Sequence, residues 1–184
     1  RAFGDVLSEA QRLGYAEADP TFDIEGIDSA HKLTLLTTLA FGTPVKFDNI
    51  YTEGITRITP LDIEYAKEFG YKIKLLAISK MDNGEIEVRV HPTMVPNEYL
   101  ISTVDGVFNA IYIQGDAVGE TMFYGRGAGD MPTGSAVVSD IIEIARNIIT
   151  NSVGRVPPPA FQLKERKELK IKKMDDIVCP FYLR

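Results

Sequence analysis

The sequence predicts an α+β domain with a mixed, largely antiparallel sheet and helices packed on one face. Two pairs of β-rich segments support this class, because each pair is joined by a short turn sequence of the kind found in hairpins. The first pair, YKIKLLAISK and EIEVRVHPTM, flanks the turn Asp82-Asn83-Gly84. The second pair, GVFNAIYIQGD and GETMFYGRG, turns between Gly115 and Gly119. Apolar residues at helical spacing near both ends of the chain predict the helices.

The helix ends follow from residues that start or stop helices. The predicted helices are 3–13, 29–41, a short helix opened by Thr59-Pro60, and 131–149, with a strand in 47–58. Asp28 is the expected N-cap of the second helix, and Gly42 ends it. The last helix is expected to turn its apolar side inward through Val137, Val138, Ile141, Ile144, Ala145 and Ile148.

Composition limits the class of protein. The chain has 184 residues, of which 45% are hydrophobic and 25% charged, as expected for one globular domain with a real core. No apolar run approaches the roughly 18 residues that span a bilayer, so we expect no membrane segment. A single cysteine, Cys179, fits a reducing compartment and a cytoplasmic location. Two separated histidines without a CxxC motif argue against a zinc site. The chain starts at Arg1 without methionine, so we expect sequence upstream.

Charge divides the chain into two parts. Residues 1–154 hold 22 acidic and 12 basic side chains, a balance of −10, whereas residues 155–184 hold 4 acidic and 8 basic, a balance of +4. The acidic body argues against nucleic-acid binding. The basic stretch LKERKELKIKK follows three consecutive prolines and contains no aromatic residue, so it is interpreted as a linker.

An acidic segment followed by one lysine is the strongest candidate site. The segment GYAEADPTFDIEGIDSAHK, residues 14–32, contains Glu17, Asp19, Asp23, Glu25 and Asp28 before Lys32. Asp28 and Lys32 share a helix face, and leucines at 35, 36 and 39 place the ammonium at the edge of an apolar stripe. A partly desolvated lysine beside carboxylates is suited to proton transfer. Spacing alone favours the other interpretation, a solvated acidic loop with an ordinary ion pair.

A glycine-rich turn is the second candidate site. The sequence Gly125-Arg126-Gly127-Ala128-Gly129-Asp130 leaves a strand and enters a helix near Pro132 and Thr133. Such a turn can bring main-chain N–H groups close to an anionic ligand. Spacing alone favours a plain strand-to-helix turn capped by Asp130. No G-x-G-x-x-G segment lies between a strand and a helix here, so a Rossmann nucleotide-binding unit is absent from the sequence.

The acidic segment resembles the signature of homoserine dehydrogenases, G-Y-x-E-x-D-P-x-x-D-x-x-G-x-D-x-x-x-K. The matching residues are Gly14, Tyr15, Glu17, Asp19, Pro20, Asp23, Gly26, Asp28 and Lys32. The resemblance continues through FDNIYTEGITRIT, YKIKLLA, Asn109 and GRGAGDMPTGSAVVSDI, and so covers roughly residues 3 to 145. Gly134 stands where the family more often has alanine.

The resemblance implies an NAD- or NADP-dependent enzyme that interconverts L-homoserine and L-aspartate 4-semialdehyde in threonine, methionine and isoleucine biosynthesis. Lys32 would be the catalytic acid and base, and Glu17, Asp23 and Asp28 would bind the substrate. The expected cofactor contacts are Gly127, Ala128, Gly129 and Thr133, and no metal site is expected. Family members are homodimers.

The resemblance also implies a domain organisation. Residues 1–152 would be the catalytic, substrate-binding and dimerisation domain of a larger enzyme whose nucleotide-binding domain precedes it. Residues 153–184 would be a Pro-rich basic linker leading into the first strand, IVCPFYLR, of an ACT-like regulatory domain. This chain alone is therefore expected to be inactive. The competing hypothesis is a non-catalytic amino-acid- or cation-binding assembly module, although the carboxylates lack EF-hand spacing.

Overall fold

The computed structural model describes residues 3–127, 129–152 and 168–183. In chain order the elements are α1 (Phe3–Arg12), α2 (Thr21–Ile24), α3 (Ile27–Phe41), β1 (Tyr51–Thr52), α4 (Pro60–Glu68), β2 (Tyr71–Asp82), β3 (Glu85–Pro96), β4 (Phe108–Gly115), β5 (Gly119–Arg126), α5 (Asp130–Ile149) and β6 (Lys170–Ile171). Short 3-10 turns cover Phe47–Asn49, Leu100–Thr103 and Met174–Asp176. The mixture of helices and strands confirms the α+β class.

The hairpin β2–β3 is the centre of the sheet. Its two strands pair antiparallel along their whole length, from Tyr71 opposite Pro96 to Asp82 opposite Glu85. Asn83 and Gly84 both have positive φ, at 51° and 80°, as a two-residue hairpin turn requires. The opposite edge of β3 carries the short strands β1 and β6, both parallel to it. The sheet is therefore mixed and largely antiparallel, as predicted.

Helix α3 covers one face of this sheet. The side chains of Ile86, Val88 and Val90 are buried at alternate positions of β3, so they point to the same face. They form the hydrophobic core with Ala30, Leu33, Val45 and Ile50. The hydroxyl of Thr37 on α3 donates to Ser79 Oγ at 2.9 Å, which gives the buried polar group a partner on β2.

The start of α3 differs from the prediction. The helix begins at Ile27 with Gly26 as its N-cap, and Asp28 lies in the first turn. Gly26 has φ 75°, and a Cβ there would lie 3.1 Å from Val90 Cγ1, so the chain turns into the helix where it meets β3. The side chain of Asp28 pairs with Lys32 instead of capping the helix.

The predicted strand in 47–58 is mostly wrong. Residues 47–49 form a 3-10 turn, and only Tyr51 and Thr52 pair with β3. The chain then leaves the sheet at Gly54, where the amide of Ile55 donates to the carbonyl oxygen of Ile24 at 2.8 Å. Contact with the acidic segment thus replaces further strand pairing.

The second predicted hairpin is confirmed as β4–β5, a separate two-stranded sheet. Helix α5 follows it and begins at Asp130 with Gly129 as its N-cap, so Asp130 is the first helical residue and not the cap. The expectation that the apolar side of α5 faces inward is wrong for this structure, because the helix has no buried residue and Ile141 is 59% exposed. Among the described residues, no element covers its apolar side.

The described part of the C-terminal region, residues 168–183, packs against the β2–β3 sheet through β6. Residues 177–183 form no strand, so the strand expected at IVCPFYLR is not seen. The Pro-rich residues 153–167 lie outside the described residues.

Candidate functional site

Local hydrogen bonds hold the part of the acidic segment that lies between α1 and α3. The side-chain amide of Gln11 donates to the carbonyl oxygens of Glu17 at 2.9 Å and Ala18 at 3.2 Å. Asp19 accepts from both the amide (3.1 Å) and the hydroxyl (2.6 Å) of Thr21, and these bonds lower the pKa of its carboxyl group. Asp19 therefore supports α2, a short helix that the sequence did not predict.

Two of the predicted substrate-binding carboxylates are exposed. The side chains of Glu17 and Asp23 face solvent and have no hydrogen-bond partner among the described residues. Both carboxylates are thus free to accept hydrogen bonds from a cationic ligand group, such as an ammonium. The third predicted residue, Asp28, lies further along the same segment and is half-buried.

Lys32 and Asp28 form an ion pair one helical turn apart on α3. Their side chains are 64% and 43% exposed, so the expectation of a lysine at a desolvated apolar edge is wrong for the described residues. The leucines on that side of the helix, Leu35, Leu36 and Leu39, are exposed as well. An exposed pair of this kind contributes only about 0.3–0.5 kcal/mol to stability. A gain in stability therefore does not explain why this pair is present.

Gly54 fixes the position of the acidic segment relative to the sheet. A Cβ at Gly54 would lie 2.2 Å from the carbonyl oxygen of Ile24 and 2.5 Å from Cα of Glu25, so only glycine fits. Nearby, a Cβ on Gly26 would lie 3.1 Å from Val90 Cγ1 and 3.5 Å from Thr52 Cγ2. Sequence reasoning missed this contact, although a glycine inside a predicted strand is a signal for close main-chain approach.

The glycine-rich turn lies between β5 and α5. The amide of Gly127 donates to the carbonyl oxygen of Val107 at 3.4 Å, and a Cβ at Gly127 would overlap Asn109 Nδ2 at 1.6 Å. Gly129 has φ 115°, and the amide of Thr133 donates to its carbonyl oxygen at 3.2 Å. Ala128 lies outside the described residues.

The turn is suited to a ligand that approaches the main chain. Thr133 is exposed, and the first amides of α5 are at the exposed N-terminal end of a 20-residue helix. No hydrogen bond or ion pair in the described residues joins this turn to Glu17, Asp23, Asp28 or Lys32.

In residues 3–127, 129–152 and 168–183, no group of three or more histidine, cysteine, aspartate or glutamate side chains is arranged to hold a metal ion. Within the same ranges, no helix is both long and apolar enough to cross a membrane.

The fold and these residues define an α+β domain that presents an acidic segment, a helix-borne lysine and a glycine-rich turn. The sequence model described as homoserine dehydrogenase matches residues 1–142. The chain belongs to the homoserine dehydrogenase family.

Individual relatives are similar over most or all of the chain. A homoserine dehydrogenase of Neisseria gonorrhoeae is 54% identical over 183 residues, which is 100% of this chain and 42% of the relative. The crystal structure of a homoserine dehydrogenase from Thiobacillus denitrificans superposes with a TM-score of 0.87 at 54% identity, covering 96% of this chain and 41% of that one. A hyperthermophilic archaeal homoserine dehydrogenase mutant in complex with NADPH has a TM-score of 0.59 at 29% identity, over 78% of this chain and 40% of its own. The chain therefore spans about two fifths of the length of these relatives.

Proposed function

We propose that this chain is the substrate-binding and catalytic region of a cytoplasmic homoserine dehydrogenase. The enzyme would interconvert L-homoserine and L-aspartate 4-semialdehyde with NAD or NADP in the biosynthesis of threonine, methionine and isoleucine. Family membership supports this function, and the observation that carries it is the exposed pair of Asp28 and Lys32 at the start of α3. An ammonium on a rigid helix, accessible to a ligand and paired with a carboxylate, is a suitable proton donor.

Lys32 would move the proton in the reaction. The nicotinamide cofactor, when bound, would supply or accept a hydride at the carbon that carries the substrate oxygen. In the direction of reduction, negative charge develops on the aldehyde oxygen, and the Lys32 ammonium would neutralise it by donating a proton. In oxidation the neutral amine would take the hydroxyl proton. Asp28 would hold the side chain of Lys32 in place through the ion pair seen on α3.

The exposed carboxylates would bind the amino acid. Glu17 would accept hydrogen bonds from the substrate ammonium, and Asp23 and Asp28 would fix its polar end. The lack of side-chain partners for Glu17 and Asp23 in the described residues supports this assignment, because their oxygens can accept those bonds without breaking others.

The glycine-rich turn would contact the nicotinamide cofactor. Gly127, Ala128, Gly129 and Thr133 are the proposed contacts, supported by the exposed start of α5. The NADPH complex of the archaeal relative supports a nicotinamide cofactor for the family.

The exposed apolar sides of α5 and of β4–β5 are consistent with assembly. Ile141, Ile144 and Phe123 are about 60% exposed, which is unusual for a free surface. We propose that the enzyme is a homodimer, that residues 1–152 are its catalytic and dimerisation domain, and that 153–184 lead to an ACT-like regulatory domain. The isolated chain would lack the surface that orients the cofactor and would not turn over.

Steady-state assays of the complete enzyme test this function. We expect reduction of NAD or NADP with L-homoserine, no reduction with D-homoserine, and none by the isolated 184-residue chain. A folded complete enzyme that reduces neither cofactor with L-homoserine would overturn the proposal. Turnover by the isolated chain would overturn only the proposal that it is inactive.

A further inference from the structure

Residues 168–183, which we name the C-terminal strap, share one edge of β3 with β1, the strand that leads to Gly54 and its contact with the acidic segment. Within the strap, Lys170 and Ile171 pair parallel with Glu85 and Ile86. Further along the same edge, β1 pairs parallel with residues 89–90. The edge contacts extend beyond both pairings, because the amide of Lys172 donates to Ile86 O and that of Glu53 donates to Val90 O, each at 2.8 Å.

The strap is also packed against the end of α3. Leu169 and Ile171 pack on the hydrophobic core, and Ile177 is only 6% exposed. The amide of Leu169 donates to Oγ1 of Thr43 at 3.1 Å, two residues beyond the last residue of α3. Thr43 is 1% exposed, so this bond is shielded from water and breaking it leaves a buried group without a partner.

The far end of the strap contacts α4. The hydroxyl of Tyr182 donates to Asp62 Oδ1 at 3.1 Å. The other oxygen of Asp62 accepts from the amide (2.8 Å) and the hydroxyl (2.6 Å) of Thr59, which caps this helix. Ion pairs fasten the middle of the strap, with Lys170 Nζ 2.6 Å from Glu85 and Lys172 Nζ 3.5 Å from Asp82.

We propose that the strap is a positioning device for the acidic segment and Lys32. One connection runs from Leu169 through Thr43 into α3, the helix that carries Lys32. The other runs along the edge of β3 to β1 and Gly54, against which Ile24 packs. Displacement of the strap shifts both supports of the acidic segment together. The effect on catalysis rests on the proposed function, but the structural coupling does not.

Hydrogen exchange of the complete protein tests the coupling. Thr43→Val removes the acceptor of the Leu169 amide and keeps the side-chain shape, whereas Thr43→Ser keeps the hydroxyl. We expect Thr43→Val to accelerate exchange about tenfold at the amides of Ala30 and Ile55, which bond to Gly26 O and Ile24 O. Thr43→Ser is expected to exchange like the wild type. The Asn97 amide, which bonds to Gly70 O, is the internal control.

A second variant tests the contact at the other end of the strap. Tyr182→Phe removes the bond to Asp62, and we expect it to accelerate the same Ala30 and Ile55 amides by a smaller factor. In the active enzyme, Thr43→Val is expected to lower kcat and to raise KM, because Lys32 and Glu17 both lose part of their support, and Thr43→Ser is expected to restore both constants. Faster exchange confined to residues 169–172 in both variants would overturn the proposal. An enzyme inactive towards homoserine would refute the proposed function and leave the exchange result as the test of the strap.

Discussion

Gly54 packs directly against the carbonyl oxygen of Ile24. No side chain fits between them, because a Cβ on Gly54 would lie 2.2 Å from that oxygen. The neighbouring amide of Ile55 donates to the same oxygen at 2.8 Å. This contact connects the residues after β1 to the acidic segment, which places the proposed substrate-binding carboxylates relative to the sheet.

Substitution of Gly54 tests this contact. Gly54→Ala forces two main-chain segments apart, so we expect it to lower the free energy of unfolding by more than about 2 kcal/mol. Urea unfolding measures the change. Gly4→Ala is the matched control, because no atom lies within 4 Å of its added Cβ and alanine favours helix α1. A Gly54→Ala protein as stable as the wild type would show that the close approach is not needed.

The parts of this fold that could be predicted are those determined by residues close together in the sequence. The turn at Asn83-Gly84 and the helix start at Thr59-Pro60 follow from local conformational preferences, and both were predicted. The start of α3 was missed because Gly26 meets Val90, 64 positions away in the sequence. The pairing of Lys170 with Glu85 was likewise missed.

The ion pair at the candidate site was predictable, but the burial of its surroundings was not. The resemblance identified Lys32 and Asp28, and the structure pairs them. The structure shows the solvated ion pair that spacing alone favoured. The apolar edge expected around Lys32 was wrong, because burial depends on which elements cover the helix and not on the spacing of leucines along it. The same reason explains the exposed apolar side of α5.

The cap of α4 is expected to stabilise the domain. Thr59 and Asp62 form a capping box in which the side chain of each accepts from the amide of the other. We expect Thr59→Ala to cost about 1 kcal/mol of unfolding free energy. Thr59→Ser keeps the hydroxyl and is expected to cost much less. Equal stability of all three proteins in urea unfolding would contradict this role.

Acid is expected to weaken the domain through Glu87. The hydrogen bond from Arg89, whose side chain is 5% exposed, lowers the pKa of the Glu87 carboxyl group below its ordinary 4.5. The folded state therefore binds this proton less readily than the unfolded state, so the stabilisation is full above pH 4.5 and is lost as the pH falls through the lowered pKa.

Glu87→Gln is the corresponding variant. We expect it to lose about 1–3 kcal/mol at neutral pH and to show a flatter decline of unfolding free energy below pH 4.5. Glu98→Gln is the control, since Glu98 is exposed and without a side-chain partner in the described residues. An unchanged acid dependence for Glu87→Gln would contradict the assignment to Glu87.

The glycine-rich turn is expected to affect cofactor binding. Gly127→Ala would push Asn109 away and alter the main chain of the turn, so we expect the Kd for the reduced nicotinamide cofactor to rise about tenfold or more. Gly134→Ala adds a methyl in open space on α5 and is expected to leave the Kd unchanged while stabilising the helix by up to about 1 kcal/mol. Fluorescence titration of the complete enzyme measures both, and equal Kd values would exclude the turn as a contact.

Glu17 and Lys32 are expected to affect different kinetic constants. Glu17→Ala removes a contact that the ground state and the transition state share, so KM for L-homoserine is expected to rise with little change in kcat. Lys32→Ala removes the proton donor, and kcat is expected to fall about 10²–10⁴-fold. Because the pair of Lys32 and Asp28 is exposed, stability is expected to change by less than about 1 kcal/mol. A fall in kcat for Glu17→Ala as large as that for Lys32→Ala would contradict this division.

The kcat of Lys32→Arg in the complete enzyme tests the central claim most directly. Arginine keeps the positive charge and can still pair with Asp28, but it cannot release a proton near neutral pH. If Lys32 transfers the proton, Lys32→Arg will be almost as inactive as Lys32→Ala. If Lys32 serves only as a surface ion-pair partner of Asp28, Lys32→Arg will retain a near-normal kcat, and the catalytic assignment will be wrong.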